Sequence, residues 1–146
     1  GLRNIRYKAS VDIIPLFVRA DSIIPMGPEM NYVGEKPFNP ITLDIYLDKE
    51  AEFTLYDDDE IVSFKCTKES TKIVLEISES KRDRDYILNF NKADCPSRVL
   101  INEEEIKRCG TREEFIRVEE GWWCESDKVI VKVKTKIATT IILELS

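Results

Sequence analysis

The 146-residue chain contains no histidine, and that absence removes whole classes of chemistry. Ser-His-Asp and Cys-His mechanisms both need an imidazole base. The four cysteines, Cys66, Cys95, Cys109 and Cys124, lie far apart with no C-x-x-C pair, so a zinc site is not expected either. Cys109 has no base beside it in sequence and is not read as a nucleophile. Basic residues are also in deficit: the formal charge is −6 and the pI near 4.9, which argues against a nucleic-acid partner, because neutralising phosphates takes a clustered excess of Lys and Arg. No apolar run approaches the ~20 residues that span a bilayer, so no membrane partner is expected. The opening GLRNIRYKAS lacks the basic, apolar and small-residue order of a signal peptide, and Gly1 in place of Met suggests a processed or trimmed product. A cytoplasmic placement with free thiols is the expectation, although an even cysteine count permits pairing.

Beyond the absences, the chain is long enough for one domain and part of another. A domain of this size buries about two-thirds of its unfolded surface. Period-two alternation recurs from residue 41 onward. Leu43, Ile45 and Leu47 alternate with Thr42, Asp44 and Tyr46, and Val129, Val131 and Val133 alternate with Ile130, Lys132 and Lys134. About nine such short stretches, among them YILNF, RVLIN, FIRV and GWWCE, predict an all-β antiparallel sandwich in two sheets. The stretch NEEEIKRCGTREEF, interrupted by Gly110, reads as a long turn with at most one helical turn at residues 103–108. The first 40 residues hold five of the six prolines. They read as a Pro-rich extension of short strands, with a boundary near residue 30.

Two features invite a functional reading. The first is FTLYDDDEIVSF, which sets Asp57, Asp58, Asp59 and Glu60 between two apolar stretches. Counted from Asp57 as a calcium loop, the sixth residue is Val62 and the twelfth Lys68, so the pattern fails. Paired glycosidase carboxyls come from different elements of a pocket, about 5 to 10 Å apart, and adjacent residues of a hairpin tip do not meet that. The acids are therefore expected to be a solvated turn. The second feature is aromatic: Trp122, Trp123, Tyr46 and Tyr56 are candidates for stacking on an oligosaccharide, although Trp is more often a core residue.

The segment VDIIPLFVRADSIIPMGPEMNYVGEKPFNPITLDIY, followed by AEFTLYDDDE, resembles the C-terminal β-sandwich region of family-31 glycoside hydrolases, the α-glucosidase and α-xylosidase family. Residues 14–19 and 22–25 follow that family's Ile-Pro-x-Phe-Val-Arg-Ala-Gly-Ser-Ile-Ile-Pro pattern. Residues 55–59 follow its Leu-Tyr-Glu-Asp-Asp-Gly pattern, with Asp57 in place of Glu. Asp21 and Glu60 stand where the family has glycine, and a rearranged hairpin tip is expected at Glu60. The resemblance is specific over residues 11–64 and weak beyond.

What the resemblance implies is an accessory piece of an enzyme. Retaining catalysis in such enzymes uses two aspartates of a (β/α)₈ barrel that precedes this region, within surroundings similar to Trp-x-Asp-Met. That string is absent here, so no catalytic residue, cofactor or metal is expected in the chain. Residues 1–30 would be the terminal strands of a proximal sandwich, and residues 31–146 a distal one. The apolar residues Ile13, Ile14, Leu16, Phe17, Ile23, Ile24 and Met26 would pack on the barrel or on a neighbouring sandwich. Homo-oligomer contacts and an oligosaccharide ligand stay open as further partners.

Overall fold

The computed structural model describes residues 6–8, 10–32 and 34–145; Gly1 lies outside them. The sandwich is as expected, with eleven strands among the described residues. One sheet runs, in spatial order, β1 (Ser22–Met26), β2 (Ile41–Tyr46), β6 (Arg84–Asn91), β10 (Lys128–Thr135) and β9 (Gly121–Glu125). The other runs β3 (Glu50–Asp57), β4 (Glu60–Lys68), β5 (Lys72–Ile77), β11 (Thr139–Glu144), β7 (Arg98–Ile101) and β8 (Glu104–Glu105). Neighbouring strands are antiparallel except β2 and β6, which run parallel.

Alternation decides which face is buried. Ile41, Leu43 and Ile45 of β2 point inward with Tyr86, Leu88 and Phe90 of β6 and Val129, Val131 and Val133 of β10. From the opposite sheet come Val62, Phe64 and Cys66 of β4, Leu75 of β5, and Ile141 and Leu143 of β11. Each buried Leu- or Phe-sized side chain contributes about 1.5 to 3 kcal/mol. The two inner faces close on one core, and this is what makes the two sheets one body.

β1 is part of that body. Ile23 faces Ile45 in register and is buried in the core cluster, so it is not available to another domain. The connector to β2 folds back as well. Gly27 lies under Phe38, whose ring leaves no room for a Cβ there.

Two local expectations are corrected. The helical turn lies at α1 (Arg112–Arg117), not at 103–108, and it absorbs most of FIRV, which alternation alone had marked as a strand. The reason is capping: Thr111 accepts a hydrogen bond from the Glu114 amide, and Glu113 and Glu114 occupy the first turn. Gly110 precedes that cap and breaks nothing. The expectation of free thiols fails for one pair, since Cys95 and Cys124 form a disulfide. Cys66 and Cys109 are free and buried.

Candidate functional site

The placement of the hairpin acids decides whether they can do chemistry. β3 and β4 form a hairpin in which Asp57 faces Glu60. The left-handed residue of its turn is Asp58, at φ 54°, and Glu60 is the first residue of β4. The glycine replaced at Glu60 is therefore not needed for the turn, and the rearrangement lies in where the side chain goes. Glu60 turns inward to 3% exposure, below Val62 on the core face of β4.

An inward carboxylate needs a partner, and β6 supplies one. Arg84, 2% exposed, reaches Glu60 Oε2 through Nη2 at 2.5 Å and Nε at 3.2 Å, and Asp57 Oδ2 through Nη2 at 2.5 Å. The other Glu60 oxygen accepts hydrogen bonds from the Ser80 hydroxyl and from the Lys81 amide, at 2.6 Å for the latter. Burial alone would raise the Glu60 carboxyl, but the bonds from Ser80, Arg84 and the Lys81 amide outweigh it and hold it down to about 2. A carboxylate whose oxygens are both occupied, and which stays ionised at every ordinary pH, is neither a general acid nor an open nucleophile. Asp59 stays outside, paired with Lys81 at 2.8 Å. The expectation of four solvated acids thus fails at Glu60, which is a buried cross-link between the two sheets.

Asp21, the other departure from glycine, keeps the left-handed conformation at φ 57°. Its Oδ1 accepts from the amides of Asp48 and Lys49, both at 2.8 Å. These two bonds clamp the start of β1 to the β2–β3 turn.

The aromatic candidates are scattered. Trp122 is 1% exposed, donates from Nε1 to the Ile106 carbonyl at 3.3 Å, and has the Arg108 guanidinium 5.1 Å from its ring centre. No face of it is open to a sugar. Trp123 lies partly exposed on the edge strand β9, opposite Ile130. Tyr46 is partly exposed at the end of β2, and Tyr56 is 75% exposed on β3 in the other sheet. The four form no common platform.

The apolar candidates before β1 lie in one exposed stretch of chain. Val11, Ile13, Ile14, Leu16, Phe17 and Val18 are all exposed, Leu16 at 87%, and the ring of Phe17 meets that of Tyr7 edge-on, at 5.9 Å. Ile24 and Met26 are also exposed, on the outer face of β1. A run of this kind is well beyond the isolated apolar residues that any surface carries.

Sequence reasoning missed Arg84, although its signal was present. Arg84 shares the inward parity of Tyr86, Leu88 and Phe90, and a charge on the core face of a strand calls for an opposite charge across the sandwich. Among the described residues no group of three or more Cys, Asp or Glu is arranged to hold a metal ion.

No protein-family model matches the sequence. Over 62 residues, 42% of this chain and 8% of the relative, the sequence is 40% identical to an α-xylosidase of Saccharolobus solfataricus. The matched stretch therefore spans under a tenth of that relative's length. In fold it is similar to an uncharacterised Listeria monocytogenes protein solved with glucose, magnesium and calcium, at a TM-score of 0.81 and 20% identity, covering 94% of this chain and 14% of the other. It is also similar to a family-31 dextranase of Flavobacterium johnsoniae, solved as a mutant with isomaltotriose, at a TM-score of 0.74 and 22% identity, covering 87% of this chain and 19% of the other. In a stretch of sequence and in the fold of nearly the whole chain, the protein resembles the C-terminal β-sandwich region of family-31 glycoside hydrolases.

Proposed function

We propose that the chain is a non-catalytic accessory β-sandwich of a family-31 retaining α-glycosidase, and that it buttresses the catalytic (β/α)₈ barrel. The observation that carries this reading is the exposed apolar segment at residues 11–18, lying outside a sandwich whose own core is already filled. Covering such residues contributes about 25 cal/mol per Å² of apolar surface removed from water, and a surface of this kind calls for a partner. The relatives and structural neighbours supply the context, since each is many times longer than the stretch it shares with this chain. The hairpin acids favour the same reading, because Glu60 and Asp57 are consumed by Arg84.

On this view the segment up to residue 20 leads out of a preceding sandwich. The division first placed near residue 30 then moves to the front of β1, because β1 is hydrogen-bonded into the distal sandwich. The barrel chooses the parent's substrate, and this region bears on yield, rigidity and assembly.

The test is made in the parent enzyme. Leu16→Asp with Phe17→Asp should reduce its soluble yield and lower its melting temperature, with α-glycosidase activity lost in proportion. A parent that keeps full yield, stability and activity with this pair, or when truncated before residue 11, would overturn the reading.

A further inference from the structure

Tyr46 and Asn91 end the two parallel strands of the five-stranded sheet, and they are register partners. Because Ile45 and Phe90 point into the core, Tyr46 and Asn91 stand side by side on the outer face. The chain turns away beyond each of them, with Lys92 left-handed at φ 57°. Between these turns lies a cleft of about 220 Å³ lined by Tyr46, Asp48, Lys68, Asn91 and Lys92, with Val18 as part of its wall.

Three properties distinguish this cleft from an ordinary surface dent. Its polar groups are solvent-facing and not engaged by the protein: Asp48, Lys68 and Lys92 are exposed, and among the described residues their charged groups have no hydrogen-bond or ion-pair partner. The Asn91 side chain makes a single bond, from Nδ2 to the Asn89 carbonyl at 3.3 Å, which leaves its oxygen free. The wall and the floor are tied together, because Asp21 holds the Asp48 and Lys49 amides from the base of the segment that carries Val18. The volume also falls below the ~300 to 1,000 Å³ of pockets for drug-sized ligands, and suits a single small ring.

We propose that this cleft is a subsite for one pyranose unit of a neutral oligosaccharide. A pyranose shows an apolar C–H face to an aromatic ring, and a rim of hydroxyls each able to donate and accept. Tyr46 supplies the ring. Asp48 supplies an acceptor-only carboxylate, Lys68 and Lys92 supply donors, and the Asn91 amide supplies both functions. A simple anion would meet the Asp48 carboxylate, and a wholly apolar ligand would make no use of the four polar groups around the ring. The assignment goes beyond the buttressing role and does not rest on it, so either can fail alone.

The test is a titration of the chain with glucose and with maltotriose, followed by amide chemical shifts and by saturation transfer to the sugar. Saturable shifts centred on Tyr46, Asn91 and Lys92 are expected, with transfer strongest to the ring C–H protons. Tyr46→Ala should weaken binding about tenfold, the upper end for loss of one aromatic contact. Asn91→Ala should weaken it as well, and both variants should keep the amide dispersion of a folded sandwich. Unsaturable shifts, binding that ignores both variants, or binding of inorganic phosphate at these amides in place of sugar would each overturn the proposal.

Discussion

The hairpin tip at residues 57–60 and the segment at residues 11–18 sit on one chain and reverse the usual rule in opposite directions. At the tip a charged residue, Glu60, goes inside; in the segment Leu16, Phe17 and their neighbours stay outside. The same physics governs both. A buried carboxylate is tolerated only where charged and polar groups surround it, and Arg84, Ser80 and the Lys81 amide do so for Glu60. Apolar side chains remain in water only where no surface has been brought to them, and the segment precedes the first strand of the sheet. Glu60 is answered within this chain, and the segment at residues 11–18 is left exposed by it.

The largest effect is expected at Arg84. Arg84→Met leaves Glu60 ionised and buried with only the half-exposed Arg82 guanidinium, 3.4 Å away, as its cation, and removing the buried partner of such a pair typically costs about 3 to 5 kcal/mol. Urea unfolding should show that loss as a lower midpoint. A companion Glu60→Leu change in the same chain should recover most of it, since an apolar replacement of a whole buried pair is often neutral or better. A single Arg84→Met variant as stable as the parent chain would mean that Glu60 reaches solvent.

How much of this was legible in the sequence depends on how local the determinant is. The strands were legible because alternation such as Leu43-Asp44-Ile45 is written in consecutive residues and needs no partner to be read. The helix α1 was partly legible, since Thr111 followed by Glu114 is a local capping pattern, but the neighbouring Gly110 outweighed it. The fate of Glu60 was not legible from its own surroundings. DDDE is a turn composition, and what pulls its last acid inward is Arg84, 24 residues on and in the other sheet. The bond between Cys95 and Cys124 is of the same kind, a partnership across 29 residues that spacing leaves open. Of the aromatic candidates, Trp122 was lost to the core and Tyr46 gained its surroundings only from Asp48, Asn91 and Lys92, which folding brings together.

Acid should have a smaller and more graded effect. Glu60 has a folded pKa of about 2, below its ordinary 4.5. Its contribution to stability is therefore fully present above about 4.5 and is lost as the pH falls from there toward 2, because the unfolded chain takes up the proton first. Unfolding midpoints across this range should decline in the parent chain. With Glu60→Gln the chain should start lower and decline less, since the group that titrates has gone. An unchanged slope in that variant would assign the acid sensitivity to other carboxylates.

The smallest effect is expected in the exposed segment, and its smallness is the informative part. Leu16→Asp with Phe17→Asp in this chain alone should leave the unfolding free energy within about 0.5 kcal/mol, as is usual for surface substitutions that bury nothing. By contrast, Leu88→Ala inside the sandwich should cost about 2 to 5 kcal/mol through the cavity it leaves. Residues of the same size and chemistry then differ in effect only by whether the chain itself covers them. If the Leu16 and Phe17 changes instead destabilised the chain as Leu88→Ala does, the segment would be folding against its own sandwich in solution. The surface assigned to the barrel would then not be free to receive it.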